Sequence, residues 1–487
     1  MPEKPNILWV CSDQQRWDTL GCYGNTLVET PNLDRLSREG VHFENAFCQS
    51  PVCTPSRASF LTGRYPRATR CRQNGQEIPD DEVLLTKILA DAGYDCGLAG
   101  KLHLSPCNPE VCPVTERRID DGYDTFHWSH HSGNGWKTNA YHQWLESKGI
   151  SFEERPHPES KHVTLGPDEE NHQTTWCAEM AIRFMEERSQ KGKPWLFSVN
   201  FFDPHHPFDA PRELLDRYMS FLEDIPLPSY SEGELDNKPR WQQREHERAY
   251  GGYPFDEMNE KDHRFVRASY FAMCDLIDRQ VGRMLEALEN SGQLEQTLVI
   301  YMSDHGEMLG DHGIYLKGAH FYEPAIHVPL ILSWAGRLSP AVIEDLVELV
   351  DLAPTLLDAT GLPRHPGMQG QSLWETLQNP ETRPTHREDV YSEYNNAMPA
   401  DWSGWNPGAK DQTLGDHATM LRTRTHKIVV AHGQKEGELY DLANDPGETQ
   451  NLWNHADHLH TQSQLLKRLA DRMAWTVDPL PERKAVW

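Results

Sequence analysis

The stretch 6-NILWVCSDQQR-16 sets the reading of the whole chain. A short apolar run, NILWV, breaks off into the polar turn SDQQR, the pattern of a buried strand that carries functional groups at its C-terminal end. The pattern returns in 96-CGLAGK-101, 194-PWLFSVNFFDPHHPF-208 and 297-TLVIYMSDHGE-307, and 328-VPLIL-332 reads as a further strand. Helical spacing lies between these runs. In 30-TPNLDRLSREG-40, Thr30 takes the N-cap position, Pro31 the first turn and Gly40 the stop, with Leu33 and Leu36 on one face. Residues 83–95 repeat that pattern, and residues 350–360 form another helix. Phe265, Tyr270, Cys274, Ile277, Val281, Met284, Leu285 and Leu288 mark a long amphipathic helix over 265–290. Strands alternating with helices across roughly 1–360 predict an α/β fold, a large and mostly parallel sheet sandwiched by helices.

In such sheets, sites gather beyond the C-terminal ends of the strands. Asp13, Lys101, His205 and Asp304 each follow a predicted strand, so the sheet is expected to bring them together. Residues 209–262 are polar, proline-rich and without a clear period, and read as an insertion or lid. From residue 375 the pattern changes to short strands with turn signals (VYSEY at 390–394, TMLRTRTHKIVVA at 419–431, ELYDLANDPGE at 438–448), followed by a last helix at 457–474. The expected division is a large N-terminal domain, 1–374, and a C-terminal α+β subdomain, 375–487, bearing a small antiparallel sheet.

The chain has 487 residues, with 47 Lys and Arg against 74 Asp and Glu, a formal charge of −27. That balance argues against broad nucleic-acid binding, which needs basic faces, but not against a small anionic substrate in a locally positive pocket. The start MPEKPNILWVCSD shows no basic segment before an apolar core, and no run is long and apolar enough to span a membrane. A cytoplasmic location is the expectation from the sequence as it stands, a secreted or periplasmic one if a leader was removed. Ten cysteines include no CxxC pair, so neither a disulfide scaffold nor a cysteine-type zinc site is expected.

Asp13 and Gln14 follow one strand, Asp304 and His305 another. Each alone reads equally well as a turn former or helix cap. Together, oxygen and imidazole donors at neighbouring strand ends suit a divalent cation. Calcium and magnesium prefer all-oxygen shells, and the imidazole leaves room for manganese or zinc.

The segment 48-CQSPVCTPSRASFLTGRYP-66 puts a thiol, a proline and an arginine at a helix start. A lone cysteine is most often a buried structural thiol, and a thiolate nucleophile is the other ordinary reading. The pattern Cys53-Thr-Pro-Ser-Arg57 followed by ASFLTGRYP resembles the signature of the formylglycine-dependent sulfatases of the alkaline phosphatase superfamily. The resemblance runs in order along nearly the whole chain. It includes PNILWVCSDQQRWDTLGCYGN (5–25), GKLHL (100–104), PHHPF (204–208), SDHGEMLGDHG (303–313), KGAHFYEPAIHVPLIL (317–332) and ELYDLANDPGETQNL (438–452). Three positions depart from the family: Gln14 where a second acid is usual, His305 where many members carry Asn, and His327 where Arg is usual.

The resemblance implies an alkaline-phosphatase-like fold and conversion of Cys53 to formylglycine by a generating enzyme that reads Cys-x-Pro-x-Arg in the extended chain. It also implies one divalent metal on Asp13, Gln14, residue 53, Asp304 and His305, with Ca2+ expected and Mn2+ or Mg2+ as alternatives. The aldehyde would hydrate to a diol that attacks sulfur, leaves a sulfated residue, and expels sulfate through its second hydroxyl. Arg57 and Lys101 would stabilise the diol, Lys101, His205 and Lys317 would bind the sulfate, His205 or Lys317 would protonate the leaving alcohol, and His103 would be the closing base. The helix start at Cys53 would also aim backbone N–H groups at the anion.

The implied activity is hydrolysis of a sulfate ester, of a sulfated carbohydrate or a small organic or aryl sulfate. The histidine- and tryptophan-rich stretch 126-FHWSHHSGNGW-136 is a candidate lining for the leaving group, or simply a surface loop with buried Trp. Two other functions stay open: a phosphonate monoester or phosphodiester hydrolase using the same formylglycine, and a non-catalytic binding protein of the same fold. No nucleic acid or membrane partner is implied, and a homo-oligomer is a possible state.

Overall fold

The computed structural model describes residues 4–133, 136–153, 155–189, 192–249, 252–382, 384–395, 417–483 and 485. Its main sheet contains β1 (Asn6–Ser12), β2 (Val41–Phe47), β3 (Asp95–Gly100), β4 (Thr125–Trp128), β5 (Trp195–Asn200), β6 (Thr297–Ser303), β7 (Leu330–Ser333) and β8 (Ala341–Glu348). The spatial order is β8-β2-β7-β6-β1-β5-β3-β4, and the two-residue strand His327–Val328 also pairs with β2. Neighbouring strands pair in parallel except β7, which runs antiparallel to both β2 and β6, and the two-residue strand, which runs antiparallel to β2. The expected mostly parallel sheet is therefore present.

The central strands are apolar on both faces, as a parallel sheet covered on two sides requires. In β1, Ile7, Trp9 and Cys11 join one core cluster while Leu8 and Val10 join the other; in β6, Leu298, Ile300 and Met302 divide in the same way from Val299 and Tyr301. One face is covered by α1 (Pro31–Glu39), the helix Gln173–Arg188 and the C-terminal half of the long helix Glu260–Asn290, through Leu33, Trp176, Val281 and Leu285. The opposite face is covered by α2 (Cys53–Thr62) and the helices Leu85–Asp91 and Leu352–Thr360, through Phe60, Leu61, Leu85 and Leu356. All ten residues of α2 are buried, which fits a helix lying inside the molecule rather than on it.

Two local expectations need correction. Thr30 stands at the N-cap position of α1, but its hydroxyl accepts from Gly21 N (2.7 Å) and donates to Asp34 instead of capping. The first N–H groups of α1 go to Asp278 of the long helix, from Asn32 (3.2 Å) and Leu33 (2.7 Å). The segment 209–262 is also more regular than its sequence suggests. It holds the helices Arg212–Met219 and Arg240–Arg248, and Leu214, Leu215 and Tyr218 of the first pack against the long helix. Charged residues between those three positions dilute the helical period.

The C-terminal sheet is antiparallel and four-stranded: Asp389–Asn395, His417–Thr423, His426–Ala431 and Gly437–Asp441, in that order. Alternation splits its residues. Val390, Met420, Val429 and Tyr440 join the core of the main sheet, while Tyr391, Leu421, Ile428 and Leu439 pack with Leu465 and Leu469 of the last helix, Leu459–Trp475.

Candidate active site

Five chain segments leave the same edge of the sheet. Asp13 and Gln14 follow β1, Asp304 and His305 follow β6, Lys101 follows β3, His205 lies on the turn after β5, and Cys53 begins α2 after β2. Gly100 makes the approach of β3 and β5 possible. Its φ is +104°, and a Cβ there would lie 1.9 Å from the carbonyl oxygen of Asn200. The next residue, Lys101, then donates its N–H to that same oxygen at 3.0 Å.

The Cys53 sulfur stands where the formylglycine oxygens would be. It lies 3.1 Å from His305 Nε2, 3.2 Å from Lys317 Nζ, 3.5 Å from Lys101 Nζ and 3.7 Å from Asp13 Oδ1. Burial alone would raise this thiol. Lys101, Lys317 and His305 instead hold it well below the ordinary cysteine range, so the surroundings favour an anion at this point.

The donor set fits a divalent cation. Asp13, Cys53, Asp304 and His305 are all buried, with one ligand atom from each within 4.8 Å of the others. Burial and then the facing Asp304 push Asp13 up; burial also works against ionised Asp304, but His305 and Arg57 hold it down. Two buried carboxylates facing each other are the arrangement a cation relieves. The His305 ring is turned toward both carboxylates. Its Nδ1 hydrogen-bonds the Gly306 carbonyl at 2.9 Å, and its Nε2 lies 3.9 Å from Asp13 Oδ1 and 3.8 Å from Asp304 Oδ1. A donating Nδ1 leaves the Nε2 lone pair for the ion.

Arg57 binds the carboxylates rather than Cys53. Its guanidinium donates to Asp304 Oδ2 (2.8 Å), Asp13 Oδ2 (3.1 Å) and the Lys101 carbonyl (2.9 Å). Lys101 Nζ also bonds Asp13 Oδ2. Gln14 is fixed by charge on both sides. Its amide nitrogen donates to Glu307 and its Oε1 accepts from Lys317 Nζ at 2.6 Å, so the amide cannot turn over without facing like with like. The second lone pair of Oε1 remains for a cation. Gln14 sits at φ +66°, held there by Asp304 Oδ1 on its N–H and by the Tyr270 hydroxyl on its carbonyl.

Lys317 Nζ contacts His205 Nε2, whose Nδ1 bonds the His206 carbonyl. Burial and the neighbouring Lys317 charge hold His205 well below the usual histidine range, so it is neutral and accepts from the ammonium. His103, also at positive φ (+57°), is pinned through its N–H to Glu116 at 2.8 Å. Burial, then the Lys101 charge, lower its pKa to about 4.

The N–H cradle expected at the start of α2 is mostly spent: Thr54 N–H donates to Asn74 Oδ1 (2.9 Å), Ser56 N–H to the Val52 carbonyl (3.3 Å), and Pro55 has no N–H. Side-chain cations supply most of the charge that faces the anion. His327 lies away from this cluster, stacked on Trp17 and Phe47. In the stretch 126–136, residues 134 and 135 lie outside the described ones; His130 packs against His103 (4.5 Å between centroids), and His131 against Trp136 (4.8 Å) and Phe202 (5.8 Å). Sequence reasoning misses Glu307 and Glu116. Their only signal is an acid within or near a matched segment, and burial is what gives them work.

The sulfatase family profile matches residues 5–362, and the profile "N-sulphoglucosamine sulphohydrolase, C-terminal" matches 310–474. The chain is 29% identical to an arylsulfatase of Clostridium perfringens, over 96% of this chain and 94% of the relative. It is 26% identical to an N-acetylglucosamine-6-O-sulfatase of Bacteroides thetaiotaomicron, over 99% and 88%. It superposes on the phosphonate monoester hydrolase of Agrobacterium radiobacter with a TM-score of 0.81 at 25% identity, covering 98% of this chain and 97% of the other. The family match spans both carboxylate-bearing strand ends, the Cys53 helix and the lysine segment, so the chain belongs to the sulfatase family and is a sulfuric ester hydrolase.

Proposed function

We propose that this chain releases inorganic sulfate from a sulfated carbohydrate or small organic sulfate, with formylglycine derived from Cys53 as the nucleophile. Membership of the family implies that residue and a divalent metal. The observation that carries the reading is the position of Cys53, at the first residue of a buried helix, with Lys101, Lys317, His305 and Asp13 all within 3.7 Å of its sulfur. Asp13, Asp304, His305 and the Gln14 oxygen are the proposed ligands. Three oxygen donors favour calcium, with magnesium as the smaller oxygen-seeking alternative, and the one imidazole keeps manganese as another.

A bound divalent cation supplies Lewis-acid charge to the nucleophile and to the incoming sulfate. The aldehyde hydrate supplies a nucleophilic oxygen and, in its second hydroxyl, the means of release. The chain's own residues do the rest. Arg57 holds the two carboxylates apart from each other and oriented. Lys101 and Lys317 bind the sulfate and the charge that shifts during transfer. Lys317 carries the shared proton of its contact with neutral His205, so it is the proton source for the leaving alcohol. His103, neutral above about pH 4, is the base that takes the second hydroxyl proton. His130 packs on His103 and His131 packs beside it, and these two partly exposed rings offer faces suited to a sugar, backed by buried Trp136.

The likeness to a phosphonate monoester hydrolase favours one second reading, a phosphonate or phosphodiester substrate at the same site. Comparing kcat/KM for an aryl sulfate, a sulfated monosaccharide and an aryl phosphonate monoester decides between them. Sulfate turnover is expected to be faster, and faster phosphonate turnover would overturn the first reading.

A further inference from the structure

We propose that His103, Cys107 and His130 form a second metal site beside the catalytic one, which takes Zn2+ or a similar borderline-soft cation and switches the enzyme off when filled. One ligand atom from each residue lies within 4.8 Å of the other two. His103 Nδ1 and His130 Nδ1 are both buried without a hydrogen-bond partner, and the two rings meet edge to face with centroids 4.5 Å apart. The Cys107 sulfur has only weak contacts, 3.3 Å to the Ser105 carbonyl and 3.6 Å to Glu116 Oε2. Two imidazoles and a thiolate select zinc over calcium or magnesium, with a water as fourth ligand.

The support around the cluster is already in place. Glu116 is a buried carboxylate that accepts from His103 N (2.8 Å), Leu104 N (3.0 Å) and Trp128 Nε1 (2.8 Å). It therefore ties together the two segments that carry the ligands, while burial and then its charge push the Cys107 thiol up, so the thiolate forms only as a cation displaces its proton. Tetrahedral zinc holds its ligand atoms about 3.3–3.6 Å apart, so the cluster closes by roughly an ångström, within the reach of the partly exposed Cys107 loop. Uptake releases the Cys107 proton to solvent.

The consequence follows from the two nitrogens of one ring. His103 Nδ1 is buried without a partner, so the base role proposed for this ring falls to Nε2. A cation on Nδ1 leaves the proton of the neutral ring on Nε2, and that nitrogen can no longer accept one. The switching rests on the role proposed for His103; the site itself does not.

The test uses the full chain carrying formylglycine and its catalytic metal, under a non-thiol reductant, with Co2+ and Zn2+ as probes. Co2+ is expected to give a thiolate-to-cobalt charge-transfer band that persists in C53A and disappears in C107A and in H130Q. Zn2+ is expected to inhibit sulfate-ester turnover. C107A should keep basal turnover but need at least about ten times more Zn2+ for half-inhibition. A band that survives in C107A overturns the site. A Cys107-dependent band with unchanged Zn2+ inhibition in C107A overturns the switching. If the protein turns over no sulfate ester but shows the Cys107-dependent band, the site stands and the functional reading has failed separately.

Discussion

Lys317→Ala isolates the group that the structure gives the most work. Its Nζ lies 3.2 Å from the Cys53 sulfur, 2.6 Å from Gln14 Oε1 and in contact with His205. A unit charge at that distance from an anion is worth about 5 kcal/mol at an effective dielectric of ~20. Part of this is already felt by the bound sulfate, which is anionic before reaction, and that part appears in KM. The remainder should resemble the loss of one oxyanion-type donor, about 2.7–4 kcal/mol, or roughly 10²–10³ in kcat. The assay is initial rates over a series of sulfate esters with leaving groups of differing acidity. Occupancy of formylglycine is checked by the mass of the tryptic peptide containing residue 53, and metal content is measured in parallel. If Lys317 protonates the leaving oxygen, the loss is largest for sugar and alkyl sulfates and shrinks for a nitrophenyl sulfate. A uniform loss below about fivefold, with occupancy intact, would refute the assignment.

Three further outcomes are expected. Chelation of the metal should lower activity by at least about a hundredfold, with Ca2+ restoring it better than Mn2+; full activity in metal-free protein would remove the ligand set from the mechanism. The acid limb of kcat should lie below about pH 5, because burial and Lys101 hold His103 near pKa 4. The same depression means the folded state binds fewer protons, so His103 costs no stability above its ordinary value of 6.5 and up to about 3 kcal/mol as pH falls through 4. A limb near pH 6.5 that disappears in H103Q would contradict it. Asp278→Ala should cost about 2–4 kcal/mol in chemical denaturation, because it strips the acceptor from Asn32 and Leu33 N–H, while Thr30→Ala should cost about 1 kcal/mol; the opposite ranking would return the cap to Thr30.

Local chemistry along the chain was enough for the layers of the fold and for most of the site. Apolar runs ending in polar turns located β1, β3, β5 and β6, and with them the residues just past their ends. The segment around Cys53 was legible because its Cys, Pro and Arg stand within five consecutive residues, a pattern that needs no fold to be read. Period and spacing report only what neighbours in sequence share. The strand order of the sheet decided the rest, because it chooses partners far apart in the chain. It sets Asp278 on the first turn of α1, Glu307 and Lys317 on opposite ends of the Gln14 amide, and Arg57 between Asp13 and Asp304. It also turns His103, Cys107 and His130, three residues with no metal-binding spacing, into one cluster. Burial gives those contacts their strength, since a charge or ring nitrogen shielded from water must find its partner within the fold.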